Sequence, residues 1–144
     1  SGVEVLMSDS TMLKVKLTGN RQVQYQNGDL EFPDGIKLVF YSKLGIPITE
    51  ITAQEGFKGA DENIYRARGD VLVRDLVENK NLSSEELFWD PEEQLIYTDK
   101  FVTIETKEEL VLAEGLKAPQ DFSTYELVNP RDSEIIIREN EEFR

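Results

Sequence analysis

Apolar and polar residues alternate with a period of two along most of this 144-residue chain, the pattern of strands with one buried face. Met12–Leu17 alternates, as does Arg21–Tyr25, and Asn27-Gly28 follows as a hairpin signal because both residues tolerate positive φ. Leu30–Phe32 runs into the turn Pro33-Asp34-Gly35, after which Ile36, Leu38 and Phe40 share one face. Gly45–Pro47 then breaks the chain ahead of Ile48–Ala53. Two stretches, 85–89 and 121–125, have some helical character but are too short to hold a helix in water. The pattern predicts an all-β chain of antiparallel hairpins with turns about 10 residues apart.

The alternation also repeats. Ile51-Thr52-Ala53-Gln54-Glu55-Gly56-Phe57 aligns with Leu82-Ser83-Ser84-Glu85-Glu86-Leu87-Phe88, and Ala67–Val73 aligns with Thr98–Ile104, both at one offset of 31. Each copy reads as a strand, an acidic turn (59–63, then 90–93) and a longer returning strand. A looser third copy begins at Ala113-Glu114-Gly115-Leu116, turns at Pro119-Gln120-Asp121 and returns through Tyr125–Val128. Asn129-Pro130-Arg131-Asp132 closes it, and Glu134–Arg138 reads as a last edge strand. Leu17-Thr18-Gly19 stands where Ile51-Thr52-Ala53 stand later, which makes the opening segment a further degenerate copy. A fixed period of this kind means stacked units, none of which buries its apolar face alone.

The parity of each strand assigns its faces. With Val71 and Val73 inward, Tyr65, Ala67 and Gly69 join them, while Arg66, Arg68, Asp70 and Arg74 point out. Ile96, Thr98, Val102 and Ile104 share the inward face of the next copy, and Lys100 breaks its pattern. Two sheets with one shared apolar interior follow, and the pattern admits either a packed interior or one with room for a ligand.

Composition narrows the function. A formal charge of −13 argues against nucleic acid, whose phosphates need Lys and Arg, and against docking on anionic headgroups. With no Cys and no His, disulfides, zinc–thiolate sites and thiol or imidazole catalysis are excluded, and no phosphate loop or nucleophile elbow is present. Arg68-Gly69-Asp70 matches an integrin tripeptide but lies inside a strand pattern, and Trp89-Asp90 reads as a Trp at one end of the core rather than a propeller repeat. Glu85, Glu86, Asp90, Glu92 and Glu93 lack calcium-loop spacing and read as a solvated acidic turn. The inventory points to a binder or scaffold with no cofactor, not an enzyme. No stretch reaches the ~18 apolar residues of a membrane span. Residues 1–144 read as one β domain, in which 1–4 are a scar or linker and 133–144 an edge strand with a charged tail.

The run Leu82–Asp90, with Ile96-Tyr97-Thr98-Asp99 and Val102-Thr103-Ile104, resembles LptC, the periplasmic lipopolysaccharide-export family. Ala53-Gln54-Glu55-Gly56 and Ala67–Val71 match its middle repeat. Ala113–Ala118 with Asp121–Leu127 looks like its closing motif, although the family often has Gly-x-Gly-Phe where this chain has Ala113-Glu114-Gly115-Leu116. The resemblance covers roughly residues 5–132.

It implies a twisted, partly open antiparallel β-jelly roll of the OstA-like kind, in the periplasm and held to the inner membrane by an anchor preceding Ser1. It also implies that lipopolysaccharide arrives from an inner-membrane ABC transporter and leaves to a periplasmic LptA-like bridge protein. The alternatives are that the chain is itself a bridge component, or a scaffold that binds no lipid. Under the first reading Ile51, Ala53, Phe57, Val71, Val73, Ile96, Val102 and Ile104 line an acyl-chain groove. Tyr125, Leu127, Ile135 and Ile137 then mark the edge offered to a partner strand.

Overall fold

A computed structural model describes residues 2–9, 12–131 and 134–135, and every regular element in them is a strand. In chain order these are β1 (Val3–Asp9), β2 (Met12–Gly19), β3 (Val23–Gln24), β4 (Leu30–Phe32), β5 (Ile36–Tyr41), β6 (Pro47–Ala53), β7 (Glu55–Lys58) and β8 (Tyr65–Asp75). There follow β9 (Lys80–Asp90), β10 (Leu95–Thr98), β11 (Val102–Glu105), β12 (Glu109–Ala113), β13 (Gly115–Pro119), β14 (Glu126–Val128) and β15 (Glu134–Ile135). All pairings are antiparallel and join the strands into one sheet that does not close.

That sheet is folded along a crease into two facing halves. The first half runs β1, β2, β5, β6, the end of β8, the start of β9, β11, β12 and β15. The second runs β3, β4, β7, the start of β8, the end of β9, β10, β13 and β14. The long strands β8 and β9 belong to both, and β6 with β7, or β12 with β13, are single strands broken at one residue. The partly open β-jelly roll expected from the sequence is therefore the observed architecture.

One extra residue on the β6–β7, β9 and β12–β13 paths, and a bulge on β8, make the crease. On the β6–β7, β9 and β12–β13 paths, strict alternation would turn the apolar side outward after the crossing. Gln54, Glu85 and Glu114 absorb that step: Ile51 is buried before Gln54 and Gly56 after it, Leu82 before Glu85 and Leu87 after it, Val111 before Glu114 and Leu116 after it. These three positions correspond in the repeats of the sequence. On β8 the two residues Gly69 and Asp70 oppose Glu85 alone, a bulge held at φ of 85° and 45°. Gln54 ties it down, its amide donating to the Gly69 carbonyl at 2.9 Å and its side-chain Nε2 to Asp70 Oδ2 at 2.7 Å.

The crease corrects one sequence expectation. Phe57, assigned inward by parity with Ile51, points outward, where the Arg66 guanidinium lies 5.2 Å from its ring centre. Gly56 takes the inward place, pressed so closely on Ile36 that a Cβ would stand 2.6 Å from Ile36 Cδ1. Val3 and Glu4, assigned to a leading linker, pair with Gly19 and Thr18 in β1. Residues 85–89 are strand, and 121–125 form a turn.

Replacing Gly69 by Ala should lower stability by about 1–3 kcal/mol, because a side chain is strained at this φ and its Cβ would meet Gln54 at 2.5–2.9 Å. The urea midpoint measures it, and an unchanged midpoint would mean that the bulge does not set the crease.

Candidate functional site

The interior between the two halves is the one extended apolar space that the topology builds. On the first half it is lined in rows across the strands. The middle row passes from Leu17 through Leu38, Ile51, Val73 and Leu82 to Ile104 and Val111, all buried. A crease-side row holds Ile36 beside Ala53, then Val71, Ser84, Val102 and Ala113 in succession. On the second half Tyr65, Trp89, Ile96 and Ala118 form one row. Burying each Ile, Leu or Val contributes about 1.5–3 kcal/mol.

Seven of the eight predicted lining residues thus meet in one core. Ile51, Val71, Val73, Ile96, Val102 and Ile104 are no more than 1% exposed, and Ala53 packs against them half-buried. Phe57 is outside. The interior is closed by side-chain packing, so a guest must displace these contacts. Of the predicted partner edge, Leu127 lies in β14 and Tyr125 just before it, the Tyr125 ring 5.8 Å from Phe122. Both pack on the core, which leaves the backbone as what this edge presents. Among the described residues β14 pairs only with β13, and Ile135 lies in β15 against Glu109. Ile137 falls outside the described residues.

The two long sides of the interior are held differently. Along the crease the strands themselves run through. On the far side, where the hairpin turns lie, only side chains bridge the halves among the described residues. Phe40 of β5 meets Trp89 of β9 edge-to-face at 5.3 Å, and Lys80 Nζ lies 4.8 Å above the Phe122 ring in the turn after β13. Trp89 Nε1 also donates to Gln120 in that turn at 3.0 Å. Both ring contacts join strands displaced along the sheets, which is the twist of the roll.

Lys80 is itself an unusual lining residue, a buried cation. It forms a 2.7 Å pair with Asp75, whose second oxygen accepts the Val77 and Glu78 amides of the same turn. Burial pushes the Asp75 carboxyl up, but the Lys80 hydrogen bond and those two amides outweigh it and hold the pKa below the ordinary 3.8. The sequence reading gave no site role to Asp75, Lys80, Phe40 or Phe122, although it placed Phe40 on one face with Ile36 and Leu38. Carrying the inward parity of Val71 and Val73 two residues further would have found Asp75.

The outer faces are charged. Glu50 pairs with Lys37 and Arg74, and Arg68 with Glu55, while Asp90 caps its turn by accepting the Glu92 and Glu93 amides. Among the described residues no three acids are placed to hold a metal ion.

The family model for lipopolysaccharide assembly, LptC-related, matches residues 4–130. The chain belongs to the LptC family. Membership places it in lipopolysaccharide transport, as an envelope-associated component. No curated protein sequence matches this LptC-family chain. Among its described residues no helix is long and apolar enough to cross a membrane.

Replacing Lys80 by Met should cost about 3–5 kcal/mol by stranding the buried Asp75 charge, and replacing Asp75 by Asn as well should recover part of the loss. Urea denaturation of the single and double variants checks this, and a single variant no worse than the double would contradict it. The pair's contribution is full above pH 3.8 and is lost as pH falls through the lower native value. The stability gap between the wild type and Asp75→Asn should therefore shrink below pH 3.8 in acid titrations of stability.

Proposed function

We propose that the space between the two halves takes the acyl chains of lipopolysaccharide, and that the protein passes this lipid from the inner-membrane ABC transporter to the periplasmic bridge protein. The observation that carries the reading is the asymmetry of the closure. A continuous aliphatic interior is sealed by the chain itself on one side and by a few side-chain contacts on the other. Parting the far side opens the interior while the crease stays paired. Each methylene that enters gains about 0.8 kcal/mol, which repays the contacts broken when the halves separate. The sugars and phosphates stay in water, outside an acidic surface that offers them no basic patch. Transfer needs no bond to be made or broken here, in keeping with a chain lacking His and Cys.

Handing on the lipid needs a continuing groove. The backbone edges of β14 and β15 offer it, since a partner of the same fold can add its own strand there. An anchor preceding Ser1 would hold the domain at the inner membrane.

The close packing favours a second reading, a scaffold that works by its edges alone. Photocrosslinking separates the two. A probe at Val71 or Val102 should crosslink to lipopolysaccharide, and one at the outward Arg74 should not. Crosslinks nowhere, in protein shown to be folded, would select the scaffold.

A further inference from the structure

The inward face of the first half carries a third row, nearest the far side, and its character changes part-way. From β1 to β5 it is apolar, Met7 beside Val15 beside Phe40. It then turns polar as Phe40 pairs with Thr49, Thr49 with Asp75 and Asp75 with Lys80. All three of these polar residues are buried, at 0%, 5% and 7% exposure. The other buried polar side chains, Ser84 and Thr98, lie toward the crease and hydrogen-bond nearby backbone.

Thr49 is different. Its hydroxyl is fully buried on the inward face and has no hydrogen-bond partner among the described residues. A Val would fill the same volume without leaving a donor unsatisfied, so the hydroxyl costs the free protein stability. Lys80 is also incompletely used. Its ammonium donates to Asp75 Oδ2 at 2.7 Å and approaches Glu78 at 3.6 Å, while the Phe122 ring covers it on the side of the second half. Withdrawing Phe122 uncovers the cation at one end of this polar row, with Asp75 between it and the unpartnered Thr49 hydroxyl.

We propose that Thr49, Asp75 and Lys80, covered by Phe122, are the mouth of the interior, where the acceptor oxygen at the head of a fatty acyl chain is bound. This rests on the acyl-chain reading above and adds to it a depth and an orientation. The tail lies along the aliphatic rows toward the crease, and the carbonyl or hydroxyl oxygen near its head stops at the polar row. The Thr49 hydroxyl donates to that oxygen, and Asp75 holds the Lys80 ammonium under the Phe122 ring. Phe122 moves aside when the halves part and covers the row again when the chain leaves.

The test uses the single Trp of the chain, Trp89, buried against Phe40 and Tyr65, as its fluorescent reporter. Thr49→Val and Thr49→Ser are titrated with purified lipopolysaccharide and with dodecane, which has no acceptor oxygen. Thr49→Val should raise the thermal midpoint of the free protein. It should also weaken lipopolysaccharide binding about fivefold, the effect of one hydrogen bond, and leave dodecane binding unchanged. Thr49→Ser should bind lipopolysaccharide as the wild type does. Equal lipopolysaccharide affinity for Thr49→Val and wild type would overturn this inference and leave the acyl-chain reading standing. A wild type that binds no lipopolysaccharide would overturn both.

Discussion

Everything in this fold depends on one geometric constraint: a strand that crosses from one sheet to the facing one must keep its apolar side inward through the crossing. The paths β6–β7, β9 and β12–β13 do so with one extra residue each, while β8 keeps its alternation from Ala67 to Val71. Gln54, Glu85 and Glu114 are those insertions, and the Gly69-Asp70 bulge supplies the bend on the returning strand. The crease costs backbone strain at positive φ, offset by the Gln54 hydrogen bonds and by the apolar rows that it brings face to face. Without it the same residues would make an open sheet with its apolar face in water.

The crease also divides the work of the interior. One side is held by continuous chain, the other by Phe40 on Trp89 and Lys80 on Phe122. An apolar guest entering from the far side breaks a few contacts and no strand pairing. The polar residues sit where such a guest must present its polar end. A buried ion pair is weak support for stability, since two apolar residues of similar size do as well. At Asp75 and Lys80 its value is in placing a charge at the rim of an apolar space.

Much of this was legible in the sequence. The period of 31 located the stacked hairpins, and its aligned residues occupy equivalent places: Ile51 and Leu82, Val71 and Val102, Val73 and Ile104 are all buried. The run Leu82–Asp90 carried the family. What parity alone could not show was the crease, because alternation is a local rule and the insertion serves a contact between strands far apart in sequence. Phe57 was misassigned for that reason. Lys80 and Phe122 escaped because a charged residue opening β9 and an aromatic one in the turn after β13, 42 positions apart, give no periodic signal. Val3 and Glu4 looked like a linker because their pairing partners lie beyond the next turn, in β2.

The central claim is that the halves part on the far side when lipid enters. Spin labels at Val77, in the turn after β8, and at Glu93, in the turn after β9, report that motion, since both are exposed and sit on opposite halves. Pulsed dipolar spectroscopy should give one distance in the free protein and a longer one with lipopolysaccharide bound. An unchanged distance, in samples where binding is shown independently, would contradict the account.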